Sequence, residues 1–329
     1  LRKKRPTLKD VAKAAGVSVA SASYAVNKTG SLGQDTREYI LRVAEEIGYR
    51  QNLAARAART GRSGAIGLVV PDMTNPFFPS LAQAVIQRAR QGGHSVLVTD
   101  TEGDVDQETK IIRQLLDRDV DGIVWFPVND SNHLGELSTD VPFVVIDRSV
   151  PSLECIHADY MEGGRLAAQH LIDLGHQQIG LISGPSDVKS MRDRCDGAVR
   201  AITESAALAF TVENAFSIEL SKDVTDALIA RKATAVFCAS DLIALGVLKY
   251  AREVGIRIPQ DLSIVGFDDI PWAEYCTPGL TTIEMPVEEM ATEAVDTVLS
   301  RIDGDIETNR RVVFGVSLIV RESTEESAT

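Results

Sequence analysis

Thirteen of the chain's 34 lysines and arginines fall within residues 1–63, against five of its 47 acids. That segment carries a net charge of +8, and residues 64–329 carry −21, so the overall −13 averages two different objects. Clustered ammonium and guanidinium groups do the chemistry of phosphate neutralisation, while an acidic remainder resists nonspecific sticking. Other reactive groupings do not assemble. No G-x-G-x-x-G follows a strand, no G-x-x-x-x-G-K-[ST] occurs, and no G-x-S-x-G elbow is present. His94, His133, His157, His170 and His176 lack metal-ligand spacing, and Cys155, Cys195, Cys238 and Cys276 form no Cys-x-x-Cys pair. His176, after Gly175, reads as a helix-end capping residue rather than a base. The expectation is no metal, no cofactor and no enzyme.

The elements that must position the basic groups are short helices. Thr7 is a candidate N-cap with Asp10 three residues on, and Leu8, Val11, Ala12 and Ala15 fall at helical spacing until Gly16 ends the run. Ser18 caps a second helix with Ala22 and Val26 facing inward, while Val19, Ala20, Ser23 and Tyr24 point elsewhere. Small residues, a glycine turn and a serine cap make a helix-turn-helix, the scaffold that lays its second helix into the major groove. Asp35 begins a third helix with Glu38 as capping partner and Tyr39, Ile40, Val43, Ala44 and Ile47 on its apolar side.

From Ala65 onward strands alternate with helices in two series. The first runs Ala65–Val70, 78–91, 95–99, 107–118, 122–126 and Phe143–Ile146. The second runs 179–182, 190–204, 233–238, 241–253 and 262–267, then 286–302 and a strand 311–320. Such alternation means parallel sheets covered by helices, with ligands at the carboxyl ends of the strands. The longest apolar runs fall far short of the ~20 residues of a membrane helix, and no apolar h-region follows the basic start. A reduced, cytoplasmic protein with no membrane role is expected.

The run from Thr7 to Ser18, followed by Ser21 to Asn27, resembles the headpiece of the lactose-repressor (LacI/GalR) family of bacterial transcription regulators. The resemblance implies base reading by Val19, Ala20 and Tyr24 and phosphate contact by Ser21, Ser23 and Asn27, with Thr7 and Ser18 in the same DNA-facing set. None of the three readers makes the bidentate guanine contact of arginine, so specificity rests on apolar fit and DNA shape. Residues 50–63 match the family's hinge helix and place Asn52, Ala55, Arg56, Ala58 and Arg59 at DNA. A short helix with little to bury gains order only on DNA or a partner hinge. Gln51 stands where the family has proline, and Ala58 where a leucine wedge enters the minor groove. A methyl unstacks a base step less effectively, so a weaker kink with more reliance on Arg56 and Arg59 is expected.

The body resembles the effector domain of the same repressors, which is similar to periplasmic sugar-binding proteins. The resemblance rests on Asp72-x-x-Asn75-Pro76-Phe77-Phe78, 145–148, 236–241, 265–269 and Thr277-Pro278-x-Leu280-Thr281-Thr282-Ile283. It implies a cleft of Asn75, Phe77, Phe78, Asp147, Arg148, Arg194, Phe216, Ser240 and Asp268. A sugar needs carboxylates to accept, guanidinium forks to donate and aromatic faces to stack. Asp147 and Arg148 could instead pair with each other, Phe77 suits either core or cleft, and Asp241 reads as a helix N-cap. Met285 occupies a cleft place where pentose-binding relatives carry glutamine, which argues against plain ribose.

The fold class implied is an all-α helix-turn-helix headpiece plus an α/β, two-lobed, periplasmic-binding-protein-like effector domain with two parallel-sheet, Rossmann-like lobes. Its divisions are 1–49 for the headpiece, 50–63 for the hinge and 64–329 for effector binding and dimerisation. One lobe takes about 64–148 plus 284–305, the other 149–283 plus 306–329. The partners expected are a palindromic double-stranded operator, a small sugar or sugar derivative, and a second copy of the chain. The short acidic tail 321–329 has no heptads, so a dimer is expected over a tetramer. A sugar-binding transport component on the same fold requires a secretion signal and has no use for residues 1–63, and a nucleoside- or sugar-metabolising enzyme on it would be told apart by turnover of a candidate sugar.

Overall fold

Thr7 and Asp10 start the first helix, α1 (Leu8–Ala15): the Thr7 amide and hydroxyl both donate to the Asp10 carboxylate at 2.7 Å. The computed structural model describes residues 6–27, 29–50, 61–130, 140–148, 150, 153–305 and 310–327, and the chain divides into two units, 1–63 and 64–329. In the first unit Gly16 turns the chain at φ 66°, and Ser18 caps α2 (Val19–Val26) by accepting from the Ser21 amide at 3.0 Å. Helix α3 (Gln34–Glu46) completes it. Val11, Ala12, Ala15, Ala22, Ala25, Ile40, Val43 and Ala44 form the core. Two expectations are corrected here. Ala25, three residues after Ala22, faces inward while Val26 is only half-buried. The third helix is capped by Gly33 without a side-chain bond, Asp35 lies in its first turn, and Tyr39 is exposed.

Among the described residues the second unit holds two six-stranded sheets. The first contains β1 (Ala65–Val70), β2 (Ser95–Asp100), β3 (Gly122–Trp125), β4 (Phe143–Ile146), β5 (Glu154–Ala158) and β11 (Arg311–Phe314), in the order β11-β5-β4-β3-β1-β2. The second contains β6 (Gln178–Ser183), β7 (Ala207–Glu213), β8 (Ala235–Cys238), β9 (Ser263–Asp268), β10 (Thr281–Glu284) and β12 (Ser317–Ile319), in the order β12-β10-β9-β8-β6-β7. Every pairing is parallel except β10 with β12. Continuously buried strands such as β3, β4, β8 and β9 fit sheets covered on both faces.

The chain crosses between sheets three times: after β5, after β10, and between β11 and β12. The first crossover therefore falls beyond residue 158 rather than at 148. The single strand read over 311–320 is two strands that serve different sheets. Strand β5 escapes a hydrophobicity reading because it carries Glu154 and His157. Glu154 is buried only because Arg301, from helix Val287–Ile302, pairs with it across 147 residues of sequence. No helix among the described residues is long and apolar enough to cross a membrane.

Candidate functional site

A cavity of about 610 Å³ opens at the carboxyl ends of both sheets. Asn75 shapes one wall by accepting from the Phe77 amide at 3.1 Å, which starts helix Phe77–Gln91 with Phe77 and Phe78 at its mouth. The two rings meet edge-on at 5.3 Å, and Phe126 closes the group 4.9 Å from Phe78. Phe77 thus serves both core and cavity. Phe126 leads a loop tied down by buried Glu108, which accepts from Trp125 Nε1 at 3.0 Å and the Val128 amide at 2.8 Å.

Two buried guanidiniums form the floor. Asp147, at φ 73° just past β4, pairs with Arg148, as the alternative reading allowed, yet both line the cavity. Ser190, from helix Lys189–Ser205 of the second lobe, bridges them: Arg148 Nη1 donates to its hydroxyl at 3.1 Å, and that hydroxyl donates to Asp147 at 3.0 Å. Burial lowers the Arg148 pKa to about 10, still high enough to remain charged at neutral pH. Arg194, one turn further on, donates at 2.8 Å to Asp268 and at 2.8 Å to the Ala239 carbonyl. It lies 3.8 Å over the Phe267 ring. Burial pushes the Asp268 carboxyl up, and Arg194 pulls it back down. Phe216 lines the opposite wall.

Close packing sets this geometry. A methyl on Gly164 would lie 2.8 Å from the Arg194 carbonyl carbon, and one on Gly197 2.8 Å from that of Met161. Helices Tyr160–Asp173 and Lys189–Ser205 therefore cross backbone to backbone, and the crossing places Arg194.

Asn75, Phe77, Phe78, Asp147, Arg148, Arg194, Phe216 and Asp268 come together, and Ser240 and Met285 do not. Ser240 is the buried N-cap of helix Asp241–Val254 and stands behind the cavity. Asp241, read as that cap, is instead the helix's first residue. Fully buried, it accepts from Thr282 Oγ1 at 2.6 Å and the Ile270 amide at 2.9 Å, so it fastens strand β10 and the loop after β9. Burial raises its pKa well above the carboxylate range. Met285 is buried and faces a separate, open groove of about 710 Å³ with Glu284 and Asp269. Sequence reasoning missed Ser190, Phe126 and Glu108, which sit outside the motifs and reach the site through contacts 17 to 49 residues distant. His176 does more than cap: its ring bonds Thr234 Oγ1 at 2.9 Å and the Glu325 carbonyl at 3.1 Å.

In the first unit Thr7, Ser18, Val19, Ala20 and Tyr24 are exposed, Val19 and Tyr24 each at 46%. Tyr24 leans on Gly30, where a Cβ would strike its ring. Ser21, Ser23 and Asn27 are half-buried. Asn27 Nδ2 donates to the Ser23 carbonyl at 2.8 Å and hydroxyl at 3.0 Å, and the Ser18 and Ser21 hydroxyls bond at 2.9 Å. Asn52, Ala55, Arg56, Ala58 and Arg59, with the hinge helix read over them, lie outside the described residues.

Comparison with known proteins matches residues 7–52 to the family of bacterial regulatory proteins, lacI family, and residues 168–324 to the periplasmic binding protein-like domain. The chain is similar to the ribose operon repressor of Halalkalibacterium halodurans, 34% identical over 97% of each chain. It is also similar to the HTH-type transcriptional regulator DegA of Bacillus subtilis, 34% identical over 97% of this chain and 98% of that one. Among solved structures, the lac repressor dimer bound to operator and the anti-inducer ONPF superposes with a TM-score of 0.86 at 29% identity, covering 98% of this chain and all of that one.

Proposed function

This chain belongs to the LacI family of bacterial regulatory proteins and is a DNA-binding transcriptional regulator; we propose that it acts as a homodimeric repressor whose hold on a palindromic operator is set by a sugar-like effector between its lobes. One observation carries the reading. The two lobes meet at a cavity walled by phenylalanines and floored by buried carboxylate–guanidinium pairs, and Ser190 of one lobe bridges the Asp147–Arg148 pair of the other. A ligand that adds hydroxyls to this network and an apolar face to Phe77, Phe78, Phe126 and Phe216 stabilises the arrangement in which the lobes are drawn together. Asn75, Asp147, Arg148, Arg194 and Asp268 supply its polar contacts.

On the first unit, Val19, Ala20 and Tyr24 read base edges, Ser21, Ser23 and Asn27 steady the helix at phosphates, and Thr7 and Ser18 flank them. Asn52, Ala55, Arg56, Ala58 and Arg59 complete the DNA contact through the hinge. Two copies read half-sites about one helical turn, or a multiple of it, apart. Linkage makes the coupling mutual: whatever effector lowers operator affinity is itself bound more weakly in the DNA complex. The protein performs no catalysis, and its place is the cytoplasm with the DNA.

The test is a gel-shift titration of the full chain against operator DNA selected from a random pool, with random duplex as competitor, at several salt concentrations. The expected result is a steep fall of affinity with salt and a preference of at least ~1,000-fold for the selected site. Equal affinity for selected and random duplex overturns the regulatory reading.

A further inference from the structure

We propose that the cavity admits an uncharged polyhydroxylated ligand and rejects the same molecule once it carries a phosphate or a carboxylate. The inference rests on the sugar-like effector reading and narrows it to a charge class.

Six carboxylates line the cavity, Asp72, Asp100, Glu102, Asp147, Asp187 and Asp268, against two cationic side chains among the described residues, Arg148 and Arg194. Both guanidiniums are already neutralised, Arg148 by Asp147 and Arg194 by Asp268. Each is 4% exposed, so an anion that took either one would leave an aspartate buried without its partner. The remaining four have no cationic partner among the described residues: Asp72 accepts from the Thr74 amide at 2.7 Å and hydroxyl at 2.6 Å, and Asp100 from the Met73 amide at 2.9 Å and the Glu102 amide at 2.8 Å.

The leading backbone donors of the two helices at the cavity are also engaged. Helix Lys189–Ser205 begins at the cavity rim, where a helix N-terminus favours negative charge. Asp130, from the loop after β3 in the other lobe, fills that position, accepting from the Lys189 amide at 2.5 Å and Arg192 Nη2 at 3.3 Å. The Lys189 ammonium pairs with Asp193. At helix Phe77–Gln91 the Phe77 amide is taken by Asn75. What stays open suits neutral hydroxyls, because a carboxylate oxygen accepts from a hydroxyl and repels an anion. Four phenylalanines offer apolar faces to a ring.

The experiment is calorimetric titration of the full chain at constant ionic strength with matched sets: D-ribose and ribose 5-phosphate; D-glucose, glucose 6-phosphate and glucuronate; adenosine and adenosine monophosphate. The expected result is that a neutral member binds and its charged counterpart binds at least ~100-fold more weakly, because like charges repel across a site screened from salt. In the Glu102→Lys/Asp187→Lys variant the ratio between neutral and phosphorylated ligand should narrow by at least ~10-fold. A charged member that binds as tightly as its neutral parent overturns the charge-class inference and leaves the effector reading standing. An unchanged ratio in the variant also overturns it. Absence of binding by every member of the panel overturns both.

Discussion

Replacing Gly164 by alanine adds one methyl at the place where two helices touch through their backbones. That methyl would lie 2.8 Å from the Arg194 carbonyl carbon, nearer still to its oxygen, and 3.1 Å from the Ala198 nitrogen, whereas ordinary contact starts at 3.4 Å. The obstruction is backbone on a packed helix, so no rotamer relieves it and the helices must part by at least 0.6 Å. Overpacking of this kind costs about 1–3 kcal/mol, and alanine's better helix propensity returns about 1 kcal/mol. Because the methyl meets backbone that cannot repack, the upper end of that range applies, and a net loss of about 2 kcal/mol lowers the melting temperature by roughly 4–8 °C in a domain of this size. The second effect is directional. Arg194 rides on the displaced helix, and its 2.8 Å bonds to Asp268 and the Ala239 carbonyl stretch beyond the hydrogen-bonding range. Ligand affinity in the cavity should fall with stability. Gly197→Ala, which meets the Met161 carbonyl at the same crossing, should do the same, and the double variant should lose less than the sum because one separation serves both methyls. Gly315→Ala, with nothing within 4 Å, is the control. Scanning calorimetry and ligand titration of the four variants decide the matter. Unchanged melting in both single variants, or strict additivity in the double, refutes the crossing as the device that places Arg194.

Burial, aided by Arg311, Lys189 and Arg148 and opposed by Asp193, holds the His157 pKa down at about 4, against 6.5 for an unperturbed histidine. The unfolded chain takes up this proton first, so the contribution is complete above pH 6.5 and is lost as pH falls from 6.5 to 4, by up to about 3 kcal/mol. His170 and His176 are also lowered and act in the same direction. The diagnostic is therefore the difference: denaturant melts of His157→Gln should show a shallower acid decline, and parallel profiles would contradict it. Asp130→Asn removes the charge that joins the first lobe to Lys189 and Arg192 of the second. Losing a charge-assisted bond worth about 1.5 kcal/mol should weaken ligand binding roughly tenfold while operator affinity without ligand stays the same; titration at unaltered affinity would rule the contact out as a latch. Tyr24→Ala should leave α1–α3 folded, since the ring is 46% exposed, and should weaken operator binding by about 1–3 kcal/mol. Gel shifts with random duplex check the assignment, because an equal loss on random DNA would move Tyr24 from base reading to backbone contact.

Residues 7–27 were legible because their signals are local. The Thr7–Asp10 cap, the glycine turn and the Ser18 cap are closed by partners at most four residues apart, so spacing alone exposes them. The strand-end groups Asn75, Asp147, Arg148 and Asp268 were legible for a related reason: a parallel sheet must leave its strand ends at a cleft, and these residues close a strand or lie within five residues of its end. Tertiary structure alone decided the rest. Strand β11 pairs with β5 from more than 150 residues away, and the buried Glu154 of β5 finds Arg301 across 147 residues of sequence. Ser190 enters the site by crossing from the other lobe, 42 and 43 residues from its partners. Ser240 and Met285 share the strand-end position of the cavity residues, yet neither lines the cavity. Periodicity and capping report what a residue does with its near neighbours. Which carboxylate meets which guanidinium, and which strand end faces the cavity, follows from packing of segments far apart in the chain, and no local pattern encodes it.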